Sequence, residues 1–155
     1  MANPHARQST RGREASNARR SILGQHQRLR ALLERARSVA DTALEGEAAD
    51  PDAVAATIGE LLHVMESHLS FEESVLLPIL NADRPLGPAR AAELETEHAQ
   101  QRAMLTALYR QATAAPRVPT LAAKLMFLID WLMADMSHEE AELLAPGLFF
   151  DPSQS

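Results

Sequence analysis

Four long segments of this sequence carry apolar residues that recur in steps of three and four, and no other feature constrains the fold as strongly. Spacing of this kind is typical of an amphipathic helix that buries one face. Breaks rich in proline, glycine or small polar residues separate the segments, which cover about 18–44, 51–78, 88–112 and 120–144. Four such helices with short links predict an all-α protein, an antiparallel up-down-up-down four-helix bundle.

Each predicted helix has an inward-facing stripe that consists mainly of Ala and Leu and also contains a histidine. In chain order the stripes are Ile22, His26, Leu29, Leu33, Ala36 and Ala40; Val54, Ile58, Leu61, Met65, His68, Glu72 and Leu76; Ala91, Leu94, His98, Gln101, Leu105, Leu108 and Ala112; and Leu121, Leu125, Leu128, Trp131, Asp135, His138 and Glu142. Asp50 followed by Pro51 is typical of the start of a helix. Pro78 predicts the end of the second helix, because an interior proline removes a backbone hydrogen bond.

The composition restricts the classes of protein that this chain can belong to. A chain of 155 residues is long enough for one domain with a core of its own. The absence of cysteine excludes disulfides and thiolate-ligated metals. No apolar run approaches the roughly 20 residues of a membrane span, so we expect a cytoplasmic protein without a membrane partner.

The net charge of -6 is unevenly distributed along the chain. Residues 1–20 contain five Arg and one acid, which leaves 20 acids against 10 bases in the remainder. Because this acidic remainder repels the phosphates of nucleic acid, we expect no nucleic-acid partner. We predict a disordered basic tail over 1–17, a helical domain over 18–146 and a C-terminal tail over 147–155.

The histidines of the four stripes fall at a similar height in the predicted bundle. At about 1.5 Å per residue, all four lie within roughly one helical turn of the same level. Two of them precede a glutamate by four residues, which places both side chains on one helix face. Buried imidazoles and carboxylates are costly unless they are partnered, and a metal ion partners them. The pattern predicts a site for two first-row metal ions, with the glutamates bridging, formed by His26, His68, Glu72, His98, His138 and Glu142.

A ferritin-like site is an alternative, because the Glu-x-x-His spacing also occurs at Glu60/His63 and at Glu95/His98. His63 differs from His68 in height and direction, so this alternative is weaker and His63 is predicted to lie at the surface.

Four other acidic residues near the predicted ligands have their own expectations. Glu73, Glu139 and Glu140 point away from the predicted ligand faces and are expected to be solvated. Asp135 lies one turn before His138 on the same face and is a candidate to orient an imidazole ligand.

The pattern His26, His68-x-x-x-Glu72, His98, His138-x-x-x-Glu142 resembles the hemerythrin-like HHE cation-binding domain. The resemblance extends over about 18–146. It implies a non-haem di-iron centre inside a four-helix bundle, with two His on each iron and two bridging Glu. Manganese and zinc are alternative ions, because imidazole and carboxylate also bind them.

The sequence also differs from the oxygen carriers of that family. The carriers have a further His one turn after the ligand on the third helix, where this chain has Arg102, and they end with His-x-x-x-x-Asp. A set of four His and two Glu is instead similar to iron–sulfur-cluster repair proteins and to iron- and oxygen-sensing domains. The cysteine pair of the repair proteins is absent here. A smaller ligand set leaves positions open for water, O₂, NO or peroxide.

We therefore expect a non-haem di-iron protein that binds or senses O₂, NO, peroxide or iron. One alternative is a di-iron enzyme that detoxifies peroxide or NO, or donates iron to damaged iron–sulfur clusters. Another is a structural bundle that requires no metal. The sequence leaves the choice among these ligands and the oligomeric state open.

Overall fold

The structure is a computed structural model that describes residues 4–46, 50–83, 85–114 and 117–145. Within these ranges the chain forms four helices and no strand: α1 (Pro4–Leu44), α2 (Pro51–Ala82), α3 (Gly87–Ala114) and α4 (Val118–Glu142). Helix α2 packs most closely against α3, and α1 packs against α4 and α2. The predicted all-α four-helix bundle is confirmed. None of the described helices is long and apolar enough to cross a membrane.

Two apolar clusters fill the bundle. In every helix, buried polar residues lie between the residues that belong to the two clusters, and together they form a polar layer. The larger cluster includes Leu29, Leu69, Leu105 and Met136, and the smaller one includes Ile22, Leu76, Leu94 and Leu144. The buried polar residues of this layer are His26 on α1, His68 and Glu72 on α2, His98 and Gln101 on α3, and Glu139 on α4. The apolar clusters therefore hold four helices so that their polar positions meet at one level.

Helix α1 begins at Pro4, well before the predicted start near residue 18. Ala15 and Ala18 are buried, and the guanidinium of Arg19 donates a hydrogen bond to the backbone carbonyl of Leu144. These contacts attach the first part of α1 to the end of α4. The predicted domain boundaries remain a prediction, and the predicted tail over 147–155 lies outside the described residues.

The prediction that the second helix ends near Pro78 is wrong, because α2 continues to Ala82 with Pro78 inside it. Leu76 and Leu80 lie on either side of the proline and are both buried in the smaller cluster. An interior proline costs about 3 kcal/mol, and burying a leucine side chain stabilises by about 1.5–3 kcal/mol. Packing beyond Pro78 therefore offsets most of the cost. The predicted N-cap is confirmed, since Asp50 accepts a hydrogen bond from the Asp52 amide at 2.9 Å.

The predicted inward stripes of α1, α2 and α3 are buried throughout, but the stripe of α4 is correct only as far as Leu128. Beyond it the buried residues are Ile129, Leu132, Met136 and Glu139. His138 and Glu142 are exposed, so the prediction that they face the core is wrong. From Leu128, a step of three leads to Trp131 and a step of four leads to Leu132, and both steps fit the helical period. The step of four continues to Met136, so it places more apolar surface in the core.

Candidate metal centre

Three histidines and two glutamates meet in the buried layer. The Nε2 atom of His26 lies 3.2 Å from Glu72 Oε1 and 3.4 Å from Glu139 Oε2. His68 Nε2 lies 3.2 Å from the same Glu72 Oε1, and His98 Nε2 lies 3.4 Å from Glu72 Oε2. Glu72 thus faces imidazoles with both of its oxygens, which is the arrangement that a bridging carboxylate requires.

Four of these residues form a group with the spacing of metal ligands. Ligand atoms of His26, His68, Glu72 and Glu139 all lie within 4.8 Å of one another, and all four residues are buried. Two imidazoles and two carboxylates are a donor set that suits borderline-hard first-row divalent ions. This group is able to hold a metal ion.

The outer nitrogen of each imidazole donates a hydrogen bond to a side-chain oxygen. The three bonds are His26 Nδ1 to Glu140 at 2.8 Å, His68 Nδ1 to Gln25 at 2.9 Å and His98 Nδ1 to Glu73 at 3.0 Å. An Nδ1 atom that donates outward leaves Nε2 as the atom directed at the centre. All three imidazoles therefore present the same nitrogen to a metal ion.

Two of these outer acceptors are themselves held by arginines. Arg30 donates to Glu140 at 2.8 Å, and Arg102 donates to the two oxygens of Glu73 at 2.6 and 3.1 Å. The guanidinium of Arg102 holds the pKa of Glu73 below its usual range. The expectation that Glu73 and Glu140 are merely solvated is therefore wrong, since each is partly buried and bonded to a histidine. Arg102 therefore orients one of these acceptors.

The electrostatics of the layer favour a proton on its central imidazole. Burial opposes charge on His26, but hydrogen bonds to Glu139, Glu72 and Glu140 outweigh burial and raise its pKa to about 10. Burial likewise opposes charge on Glu72, but its bonds with His26 and His98 lower its pKa to about 2. A metal ion binds neutral imidazole, so it must displace the proton of His26.

Burial shifts the pKa of two other groups of the layer in the direction that favours their neutral forms. Burial lowers the pKa of His68 to about 4, so this imidazole is a neutral ligand at pH 7. Burial raises the pKa of Glu139 to about 7. The layer thus contains imidazoles and carboxylates whose charge state responds to a nearby cation.

The structure brings together four of the six predicted site residues, namely His26, His68, Glu72 and His98. His138 and Glu142 lie outside the layer, and Glu139 occupies it in their place. The prediction that Glu139 is solvated is wrong, because only 8% of its surface is exposed. The sequence did contain a pattern that predicts the burial of Glu139: Leu132, Met136 and Glu139 follow one another on α4 in steps of four and three. His63 is exposed, as expected for a surface residue.

A small cavity adjoins the layer between α2, α3 and α4. Its volume of about 10 Å³ is room for one water-sized group. Gln101 and Asp135 line it together with His98 and Glu139, and Gln101 Nε2 donates to Asp135 Oδ2 at 2.5 Å. Asp135 thus accepts a hydrogen bond from an amide, whereas the sequence made it a candidate to bond an imidazole.

Two buried oxygens in this region have no hydrogen-bond partner among the described residues, Glu139 Oε1 and Gln101 Oε1. Unpaired buried polar atoms are rare in folded proteins and commonly mark an ion or a water. The residues present therefore fit a bound cation, both in donor chemistry and in the oxygens that they leave unpaired.

Comparison with known proteins agrees with this geometry. A family model described as "Hemerythrin HHE cation binding domain" matches residues 17–145. No curated protein and no solved structure matches the chain.

Proposed function

Because the chain belongs to the hemerythrin HHE cation-binding domain family, we propose that its buried layer binds non-haem iron and that the bound iron receives a small ligand. The ligand classes are O₂, NO and peroxide, and the role is binding or sensing. The observation that carries the proposal is the buried group of His26, His68, Glu72 and Glu139, whose ligand atoms lie within 4.8 Å of one another.

The proposed ligands differ from those predicted by the sequence only on α4. His26 and His68 would each bind an ion through Nε2. Glu72 would bind the same ion through one carboxylate oxygen, and its other oxygen faces His98. On α4, the carboxylate of Glu139 takes the place of His138 and Glu142. Bound iron would supply a redox-active Lewis acid with positions open to exchange. The protein's own residues orient the imidazoles through the hydrogen bonds of their Nδ1 atoms and exclude bulk water.

The small size of the adjoining cavity supports a small ligand rather than an organic substrate. A volume of about 10 Å³ accommodates a water-sized molecule, whereas pockets for organic ligands are typically about 300–1,000 Å³. The leucine-rich clusters on both sides of the layer separate it from bulk solvent, which strengthens electrostatic interactions within it.

The first test is metal analysis of aerobically purified protein, with an optical spectrum recorded on the same sample. We expect bound iron and near-ultraviolet absorption, followed by spectral changes on titration with azide and NO. The variant H68A should lose most of the iron, and H63A should retain it, since His63 is an exposed histidine on the same helix. Wild-type protein that is fully folded and binds no iron in reconstitution would overturn the proposal. Steady consumption of peroxide or NO would establish an enzyme instead of a sensor.

A further inference from the structure

We propose that a groove between α1 and α2 binds a small organic oxyanion and that the bound anion raises the metal affinity of the buried layer through Gln25. The ligand class is a molecule with a carboxylate or phosphate group and an apolar part. The groove has a volume of about 330 Å³, and Phe71 of α2 lines it together with five residues of α1, namely Arg20, Ser21, Gly24, Gln25 and Arg28. The effect on metal affinity rests on the proposed metal-binding function, whereas the anion site does not.

The first argument is the state of the two arginines of the groove. Arg20 and Arg28 are exposed, and neither side chain has an ion pair or hydrogen bond with a described residue. By contrast, Arg19 and Arg30 on the same helix are bonded to oxygens in or just after the last turn of α4. A guanidinium matches the geometry of carboxylate and phosphate groups. Two guanidiniums beside one groove, with no acid in its lining, favour an anionic ligand.

The second argument is the position of Gly24 between these arginines. Residues four apart on a helix lie on nearly the same face, so Gly24 is midway between Arg20 and Arg28, about 6 Å along the axis from each. A Cβ atom at Gly24 would meet no atom within 4 Å, so the space beside this residue is open. The glycine therefore allows an anion to approach the helix between the two guanidiniums.

The third argument is that the groove also has an apolar side and the size of an organic ligand. Phe71 is half-buried, and it packs against the smaller apolar cluster while it lines the groove. Sites for organic ligands are typically about 300–1,000 Å³, and the groove falls within this range. An aromatic ring beside two cations favours an organic anion over a bare inorganic ion.

The fourth argument connects the groove to the buried layer. Gln25 lines the groove, and its Oε1 accepts the hydrogen bond of His68 Nδ1 at 2.9 Å. Its amide nitrogen has no side-chain partner among the described residues, so it is available to a bound anion, as is the hydroxyl of Ser21. Hydrogen bonds in a chain polarise one another. An anion on this amide therefore makes its oxygen a stronger acceptor and His68 a stronger metal ligand.

Isothermal titration calorimetry of the full chain with phenyl phosphate and with benzoate tests the anion site, in the iron-loaded and chelator-treated forms. At least one of the two should bind at one site per chain, and the tighter one assigns phosphate or carboxylate as the preferred group. R20Q and R28Q should each lower this affinity about tenfold, because each removes a charged donor. G24A should lower it by filling the floor of the groove. R13Q should match the wild type, since Arg13 is exposed on the same helix outside the groove.

Competition with a chromophoric chelator then measures the iron(II) affinity with and without the anion that binds more tightly. The anion should raise this affinity about fivefold in the wild type, and iron should raise the anion affinity by the same factor. The double variant R20Q/R28Q should show no increase, which separates the effect from direct contact between anion and iron.

The possible failures are distinguishable. A wild-type chain that binds neither anion, or affinities in R20Q and R28Q equal to that of R13Q, would overturn the anion site and leave the proposed function intact. Anion binding that leaves the iron affinity unchanged would overturn the coupling through Gln25. A chain that binds the anion but no iron would overturn the proposed function and the coupling, and would support the anion site. Circular dichroism checks that each variant is folded.

Discussion

At the scale of single residues, the centre depends on the atoms that hold its imidazoles as much as on the imidazoles themselves. His98 is bonded to Glu73, and Glu73 is bonded to Arg102, so a surface arginine fixes the direction of a buried ligand. The same order of arginine, glutamate and histidine recurs at Arg30, Glu140 and His26 on the other side of the layer. These outer partners select the tautomer and the ring orientation.

Replacement of Glu73 tests this role. The variant E73A should weaken iron binding by about 10–100-fold, because His98 loses the acceptor of its Nδ1–H. The control E66A removes the other carboxylate that accepts a hydrogen bond from Arg102. Among the described residues Glu66 has no bond to a histidine, so E66A should leave the iron affinity unchanged. Competition with a chromophoric chelator measures both affinities. Equal effects of E73A and E66A would show that the arginine, rather than the bond to His98, is responsible.

At the scale of the helices, the register of α4 decides which side chains enter the centre. Leu132 and Met136 are buried and Glu139 follows them on the same face, while His138 is turned about 100° away. Apolar burial thus selects Glu139 as the proposed ligand on α4, and His138 lies on the solvent side.

The two registers of α4 make opposite predictions for neighbouring residues. E139A should lower the iron affinity about 100-fold or more, since it removes a proposed ligand rather than an outer hydrogen bond. H138A should leave the iron content as in the wild type and change the free energy of unfolding by no more than about 0.5 kcal/mol, because its side chain is exposed. Elemental analysis and denaturant unfolding measure the two quantities. A loss of iron in H138A alone would support the register predicted from the sequence.

Helix α1 contains a glycine that the packing does not require. A Cβ atom at Gly24 would meet no atom within 4 Å, and glycine inside a helix is destabilising by roughly 0.5–1 kcal/mol relative to alanine. G24A should therefore raise the free energy of unfolding by about that amount, as measured with urea. The matched variant G59A should gain less, because its Cβ would approach Tyr109 Cε2 to 3.1 Å. A loss of stability in G24A would indicate a contact of Gly24 outside the described residues.

At the scale of the whole molecule, the polar layer divides one bundle core into two apolar clusters, and an ion bound in this layer would link the folding of the helices that hold it. An ion that binds only the folded chain stabilises it by about 2.7 kcal/mol when its concentration is one hundred times the dissociation constant. In the absence of an ion, the proton on His26 and its bonds to Glu72 and Glu139 stabilise the same layer. Metal and proton therefore compete for one position.

This competition predicts how the stabilising effect of metal depends on pH. The pKa of His26, about 10, lies above the value of 6.5 in the unfolded chain, so its contribution to stability is complete below pH 6.5 and is lost as pH rises through about 10. The pKa of Glu139, about 7, lies above 4.5, so its contribution has the same sign and is lost as pH rises through about 7. His68 and Glu72 do not titrate in the folded protein above about pH 7.

The metal-free protein should accordingly lose stability between about pH 6.5 and pH 10, while the metal-loaded protein keeps its stability. The difference between their melting temperatures should widen over this range. Thermal unfolding with iron(II) under anaerobic conditions and with a chelator measures the difference at each pH. Melting temperatures whose difference is constant with pH would show that metal binding displaces no proton from the layer.

The amino-acid sequence by itself determined the fold class, the burial of three helix stripes and the meeting of His26, His68, Glu72 and His98, because periodicity and distance along a helix are local properties of the chain. Tertiary packing decided the rest. It continued α2 past Pro78, since Leu80 has a cluster to enter. It also chose Glu139 over His138, since both continue a helical period and only the neighbouring helices determine which face of α4 is buried. The bonds of Glu73 and Glu140 to histidines on other helices likewise depend on how the helices pack, which no spacing within one helix can specify.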